Sequence, residues 1–473
     1  MASEGGAGID IVAEVREGDY GSKVTAVEPG GAEFVPLADR HGKPMALFAT
    51  WMSPNLEFAT IYLGVIAVWF FGLTVWQALA AIVIGNLLGS ASHAVLSARG
   101  PSAGVPQMVL SRISFGYVGN ILPAGLNAII AGAGWFAVNS VSGAFALAAL
   151  TGMSPQLSLV IVVAIEIVVA FFGHNLLQRW ERLAFPMLAL IFIIAIAFSM
   201  GSVDVSNTEG GGGLGGFLIV IGVTFGYAAG WNPFAADYTR YLPPTVSKKA
   251  TGLWAGAGIF VACTILEFVG SLAATYMDIG AENPVSEFTH PLPTIVADLV
   301  LVAIVIGSIS ANAINLYSGS MSFLAMGFQM SMKMRRALAA VIFGLLGGVV
   351  AWWGLDNVHA FENFLLVIAY WVGPWLGVFF MDQFLRRRHD VNGFLFDTRH
   401  NPGSGFIAMI VAMALSIWLF SNQVFYVGLV PAVNGSFGDI AFEAGFVIAA
   451  VLYLLLYRIS PQPSDEHLTV PNS

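Results

Sequence analysis

The feature that most constrains this chain is a series of apolar runs, each about 18–25 residues long, separated by short polar stretches. They fall at 45–71, 74–97, 119–149, 156–173, 183–201, 217–238, 250–277, 294–327, 336–354, 362–382, 404–421 and 440–458, which makes twelve. In lipid every backbone N–H and C=O must be satisfied within the protein, and single runs of this length achieve that only as helices. An all-α integral membrane protein follows. The third and eighth runs exceed the need of one crossing and imply tilt. Composition agrees, with 57% hydrophobic and 10% charged residues against about 25% charged in soluble proteins.

Charge placement orients the spans. With the N-terminus inside, alternation puts all nineteen Lys and Arg residues in cytoplasmic segments, among them Arg99, Arg112, Arg179, Arg182, Arg240, Lys333, Arg335, Arg336 and Arg386–Arg388. Asp204, Glu209, Asp278, Glu282, Glu287, Asp356 and Asp439 fall outside. This is the positive-inside distribution, so a cell (inner or plasma) membrane location with both termini cytoplasmic is expected. Residues 1–44 are polar, acidic and Gly-rich without a signal-peptide run, and read as a partly disordered cytoplasmic tail; residues 459–473 read as a second. One cysteine, Cys263, excludes an internal disulfide or a thiolate cluster.

Two spans break their own helices. Span 1 contains "TWMSPNLEFAT" (50–60) and span 6 contains "AGWNPFAADYT" (229–239), each with a Trp just ahead of an interior Pro: Trp51 with Pro54, and Trp231 with Pro233. An interior Pro removes a helical hydrogen bond, and the freed groups are tolerated in a membrane only beside a cavity or against protein. A packing kink explains either break alone. Two at matching places, in spans of opposite direction, fit an inverted repeat of five plus five helices, 45–201 and 217–382, joined by the Gly-rich external loop 202–216. Spans 11 and 12 (383–458) are then additional. The breaks fall near mid-membrane, close to Asn55–Phe58 and Tyr227–Gly230, where helix ends suit a polar solute and a cation.

Span 3 carries "AGWFAVNS" (133–140), with Trp135 and Asn139 on one helix face. A Trp face stacks on a flat ring, and an amide reads ring N–H and C=O groups; helix packing is the ordinary alternative. Span 8 carries "GSISANAINLYSGS" (307–320), with Ser308, Ser310, Asn312, Asn315 and Ser318. Paired asparagines in lipid favour a site over packing alone. Glu57, at the break of span 1, is a candidate for carrying a coupling proton or accepting N–H bonds from a solute. Glu166, Glu267, His93 and His174 read as structural. Asp237 and Arg240, spaced i, i+3 at the end of span 6, suit an exposed intrahelical pair or a gate.

Four motifs, "GPSAGVPQMVLSRISFG" (100–116), "WFAVNS" (135–140), "WNPFAADYTRYLP" (231–243) and "NAINLYS" (312–318), resemble the nucleobase:cation symporter-1 family, nearest its purine–cytosine permease branch. The resemblance covers about residues 45–460. It implies a leucine-transporter-like five-plus-five fold with a nucleobase bound between helices 1, 3, 6 and 8. Carried over by motif, Trp135 stacks on the base, Asn139 bonds to it, and Asn315 with Asn312 reads its edge. The break of span 6 supplies backbone at Gly230 and a second aromatic, Tyr227 or Trp231. Asn55 and Glu57 are further substrate-binding candidates from their place at the break of span 1. A sodium site in such a protein maps to Ser53, Leu56, Ile306 and Ser310, with Ile309 where a second hydroxyl belongs.

The reading that results is a symporter of purine or cytosine, coupled to H⁺ or Na⁺, without cofactor, without nucleic-acid partner and functional as a monomer. An allantoin-, hydantoin-, uracil- or amino-acid-type symporter on the same scaffold is the alternative. An intramembrane enzyme needs clustered nucleophiles that the spans lack. ATP-driven transport is disfavoured because "GGGGLGG" (210–216) has no P-loop lysine.

Overall fold

The computed structural model describes residues 11–12, 15, 20–206, 208, 210–278, 280–328, 334–355, 360–387, 392–459 and 468–469. Of the charges that orient the sequence, Arg16, Lys333, Arg388, Glu209 and Asp356 lie outside the described residues, as does most of the expected C-terminal tail.

The chain is helical, with one short parallel pairing of Ile11–Val12 with Leu468–Thr469 that brings its two ends together. In chain order the principal helices are α1 (Ala46–Met52), α2 (Phe58–Trp69), α3 (Val75–Ser97), α4 (Ile121–Thr151), α5 (Pro155–Phe172), α6 (His174–Ser199), α7 (Gly213–Ala229), α8 (Ala235–Thr239), α9 (Lys248–Ala273), α10 (Thr294–Ala325), α11 (Arg335–Gly354), α12 (Ala360–Leu385), α13 (Ser404–Phe420) and α14 (Ala441–Ile459). Among the described residues, ten helical stretches are long and apolar enough to cross a membrane. At the expected first and eleventh spans stand the broken pair α1–α2 and the shorter apolar helix α13.

Local chemistry sets most boundaries. Ser154 caps α5, accepting the Leu157 N–H, and Pro155 occupies its first turn, where no N–H is required. Thr74 and Gln77 close a capping box at the start of α3. The fifth expected span starts too late: α6 begins at His174, so Arg179 and Arg182 belong to the helix and face outward. Long basic side chains near a helix end reach the interface, which lets the helix run past the apolar stretch. In α4, a wide turn over Ile130–Trp135 inserts extra backbone immediately before Trp135 and resets the face on which Trp135 and Asn139 lie.

Small residues let the central helices approach. Where α2 crosses α9, a Cβ on Gly64 or Gly270 would collide with the facing backbone of Glu267 or Ile61. In lipid, such close backbone contact supplies much of the helix–helix attraction.

The N-terminal tail departs from expectation. From Tyr20 onward it is packed, with Tyr20, Glu28, Phe34 and Val35 buried against the Lys/Arg-rich end of the bundle. Phe34 meets Phe396 with ring centroids 5.2 Å apart. Low hydrophobicity predicts disorder only where no partner exists, and here one acidic side chain finds a basic cage, described below.

Candidate functional site

The two breaks form as the prolines require. After α1, a tight turn over Ser53–Asn55 ends at Leu56 (φ −85°, ψ 67°), and extended Glu57 restarts the helix as the cap of α2. Between α7 and α8, a tight turn over Asn232–Phe234 carries Pro233 in its first turn. Asn55 joins the breaks. Its Oδ1 accepts from the Trp231 indole N–H at 2.9 Å and from the Cys263 thiol at 3.4 Å, while its amide donates to the Trp51 carbonyl at 2.8 Å. The Trp51 and Trp231 rings meet edge to face at 5.9 Å, and His93 packs on Trp51 at 4.3 Å.

Glu57 is wholly buried and held by four donors. Oε2 accepts from the Ala59 N–H (2.8 Å) and the Ser142 hydroxyl (3.4 Å); Oε1 accepts from the Thr60 N–H (3.2 Å) and the Tyr227 hydroxyl (3.2 Å). The Thr60 hydroxyl bonds the Asn55 carbonyl at 2.7 Å and lies 2.6 Å from the Tyr227 oxygen. Tyr227, not Trp231, is the aromatic of the sixth span beside Trp135: their rings are perpendicular at 5.2 Å, and Phe364 of α12 also meets Trp135, at 5.3 Å. A Cβ on Gly230 would stand 3.2 Å from the Trp135 indole nitrogen, so glycine there lets the ring approach the break.

The asparagines form a relay between α4 and α10. Asn312 Oδ1 accepts from Asn139 (3.1 Å) and Asn315 (3.3 Å), and its amide donates to the Phe136 carbonyl (2.8 Å) and the Ser140 hydroxyl (2.9 Å). Ser140 donates onward to Glu166 at 2.7 Å, which gives that carboxylate the structural partner expected of it. Glu267 likewise accepts from Asn86 at 2.7 Å. Asn312 is saturated; the Asn315 carbonyl oxygen is buried without a partner, a costly state for a polar atom unless something else binds it.

Ser53 and Ser310 come together, their hydroxyls 3.5 Å apart, with the Trp180 indole donating to Ser310 at 2.7 Å. The Leu56 carbonyl points at Gly307 of α10, where a Cβ would come within 2.5 Å of it, and Ile306 precedes that glycine. Sequence reasoning missed Glu181 of α6, which is buried beside Ser53 and Ser310. The signal was available: Leu177, Glu181, Ala184 and Leu188 make one buried helical stripe, visible only once α6 starts at His174.

Asp237 and Arg240 are neither exposed nor paired side chain to side chain. Asp237 accepts the Gln107 N–H at 2.8 Å, capping the short helix Gln107–Leu110 and so tying the motif at 100–116 to the motif at 231–243. Arg240 reaches Glu28 at 3.3 Å and the Gly31 carbonyl at 3.1 Å. Glu28 also meets Arg336 (3.7 Å), the hydroxyls of Tyr317 (3.2 Å) and Tyr241, and the His174 N–H (3.1 Å). Spacing within one helix cannot reveal a partner more than two hundred residues away in the chain.

A bundle of membrane-crossing helices, with two facing breaks at its centre and polar relays converging on them, defines a multi-pass secondary transporter with the five-plus-five inverted-repeat fold. The chain is similar over its length to solved transporters: a nucleobase-cation-symport-1 family transporter in a closed conformation with bromovinylhydantoin bound (TM-score 0.72, 21% identity, 92% of this chain and 94% of that one) and a Na⁺-coupled sialic acid symporter (TM-score 0.61, 16% identity, 88% and 89%). Its sequence relatives include a putative purine–cytosine permease of Bacillus subtilis, 29% identical over 91% of this chain and 96% of that protein, and a purine–cytosine permease of Emericella nidulans, 28% identical over 91% and 88%. The family model for permeases for cytosine/purines, uracil, thiamine and allantoin matches residues 34–442. The protein belongs to this family, the nucleobase:cation symporter-1 transporters, and is a permease of the nucleobase type rather than an enzyme.

Proposed function

We propose that the protein imports a purine or cytosine across the cytoplasmic membrane by symport with H⁺ or Na⁺, as a monomer with both termini in the cytoplasm and with no cofactor. The base lies at the junction of the two breaks with α4 and α10. The observation that carries this reading is the unpartnered Asn315 carbonyl in an amide relay whose other end, Asn139, stands four residues from Trp135 on α4, which packs with Tyr227 and Phe364. Amides read the N–H and C=O edge of a neutral heterocycle, and stacking on an aromatic contributes about 1–3 kcal/mol per base.

In this reading Trp135 and Tyr227 frame the ring, Asn139 and Asn315 bond its edge, and Gly230 leaves room at the break. Asn312, Asn55, Trp231 and Glu57 hold the frame, since their polar atoms are occupied by the protein itself. The similarity to purine–cytosine permeases supports purine and cytosine over an amino acid, whose carboxylate calls for exposed helix N-termini, whereas the N-terminus of α2 is filled by Glu57.

Uptake of labelled cytosine and adenine into proteoliposomes, competed by a panel of nucleobases, allantoin and hydantoins, tests the reading. Trp135→Ala and Asn139→Ala are each expected to abolish binding with the protein still in the membrane. Failure of every nucleobase to compete overturns it.

A further inference from the structure

Ile407, Ile410, Val411, Ala414 and Trp418 form one exposed stripe along α13, and on a membrane-crossing helix such a stripe faces lipid. The helix has 17 residues and so rises about 25 Å, short of a hydrocarbon core about 30 Å thick. Beyond it, between α13 and α14, residues 421–438 contain no Asp, Glu, Lys or Arg. This segment stands at the end of the bundle away from the Lys/Arg-rich side, and it is folded. Asn422 and Val427 pair in an antiparallel bridge, and the Gln423 N–H donates to the Tyr426 carbonyl at 3.0 Å, closing a turn over Val424 and Phe425. The Gly428 N–H donates to the Ser421 carbonyl at 2.7 Å.

The hairpin leans back on the helix it follows. The Tyr426 hydroxyl donates to the carbonyl of Trp418, on the lipid-facing stripe, at 3.1 Å, and a Cβ on Gly428 would stand 2.7 Å from the Leu419 backbone. Its base is tied to the bundle. Buried Asp439 accepts from the Tyr370 hydroxyl of α12 and from the N–H groups of Asn422 (2.7 Å) and Ala441 (3.0 Å), and the Gly435 carbonyl packs on Gly215 of α7. On this fixed base Val424, Phe425 and Val433 are 78%, 87% and 89% exposed.

We infer that residues 421–433 are an interfacial foot that sets Val424, Phe425 and Val433 into the acyl–headgroup boundary of the leaflet opposite the Lys/Arg-rich end. An ordered turn that presents apolar side chains outward marks a contact with something apolar. Lipid fits on three counts. The turn continues the lipid-facing stripe at Trp418, where α13 ends short of the hydrocarbon thickness, and so extends the apolar height of that span. Trp418 and Tyr426 match the aromatic belt at a membrane interface. A protein partner is ordinarily met by a polar rim, whereas this segment is uncharged throughout. Without Lys or Arg, the attachment draws on apolar burial and not on anionic headgroups.

The full-length protein, reconstituted in phosphatidylcholine vesicles, tests this with a nitroxide attached at Phe425→Cys or Val433→Cys. Cys263 is buried, and the unsubstituted protein taken through the same labelling gives its background. Collision of the label with O₂, which concentrates in lipid, is compared with collision with a water-soluble nickel chelate. Ile410→Cys on the α13 stripe is the lipid reference, and Lys248→Cys at the Lys/Arg-rich end is the aqueous one. At Phe425 and Val433 the ratio of O₂ to nickel collisions is expected to exceed that at Lys248 at least about tenfold and to approach that at Ile410. The same ratio is expected when phosphatidylglycerol is added, since no basic side chain is there to respond. Either label carries the test if the other variant does not fold. Ratios at the aqueous value overturn the inference. So does low access to both reagents, with spin–spin broadening if a second copy covers the turn and without it if the chain itself does. A ratio that rises only with phosphatidylglycerol overturns it as well.

Discussion

Glu28 of the N-terminal segment and Arg240 at the end of the broken sixth span are 3.3 Å apart, and both are fully buried. Arg336 stands on the other carboxylate oxygen at 3.7 Å, and Tyr241, which donates to Glu28, stacks on His174 with centroids 3.7 Å apart. One side chain from outside the repeats therefore fastens helices from both of them: α6 of the first, and the run following α8 with α10 and α11 of the second. Removing one partner of such a buried pair costs about 3–5 kcal/mol, because the remaining charge is stranded.

Glu28→Gln is accordingly expected to lower the thermal midpoint and to open the bundle at its Lys/Arg-rich end. The single cysteine gives a direct reading, since Cys263 is buried with its thiol on Asn55 at the break of the first span. Alkylation of Cys263 by a small maleimide is expected to accelerate at least tenfold in Glu28→Gln. Equal labelling rates in the variant and the parent would show that the contact closes nothing.

The role of Asp237 separates by substitution. Its carboxylate caps the short helix at Gln107, and an amide oxygen accepts the same bond, so Asp237→Asn is expected to keep uptake within about twofold. Asp237→Ala removes the acceptor, and a bond to a charged group contributes about 1.5–3 kcal/mol. That variant is expected to lose both stability and uptake. A large defect in Asp237→Asn with normal folding points instead to a need for the charge itself.

How much of this was legible in the sequence depended on distance along the chain. Pro54 and Pro233 announced the breaks, because proline acts on its own helix turn wherever it stands. Trp135 and Asn139 were legible as a face because four residues of helix fix their relation. Asp237 and Arg240 misled for the same reason: their spacing suggested each other, while their actual partners, Gln107 and Glu28, belong to distant segments that only the fold brings near. Glu181 was hidden by a boundary. With the fifth span begun at residue 183 it sat in a loop, and only a helix from His174 shows it on the buried stripe. The ordered tail escaped notice because composition averages over many residues, whereas its docking depends chiefly on Glu28.

The bond from Trp231 to Asn55 links the two breaks directly, at 2.9 Å. Trp231→Phe keeps the ring and its edge contact with Trp51 but removes the N–H, leaving the buried Asn55 oxygen with the weak thiol donor of Cys263. A cost of about 1–3 kcal/mol is expected, with slower solute exchange and an unchanged rank order of competing solutes. Altered solute preference in this variant would move Trp231 from the frame into the binding surface.

Glu57 decides between two roles for a carboxylate at the heart of a transporter. A coupling acid must exchange its proton as the protein changes state, and its neutral mimic keeps solute exchange while losing accumulation against a gradient. A helix cap does something else. The four donors on Glu57 are two backbone N–H groups of α2, which favour an anion at the helix start, and the hydroxyls of Ser142 and Tyr227. Glu57→Gln replaces one accepting oxygen by an N–H₂ group that faces donors. The loss combines a weakened cap, about 0.5–2 kcal/mol, with buried donors left unmatched at about 1–3 kcal/mol. Glu57→Gln is therefore expected to lower the thermal midpoint and to reduce counterflow exchange and gradient-driven uptake in the same proportion. Exchange that survives at its full rate while driven uptake vanishes would return Glu57 to the coupling chemistry and remove it from the frame.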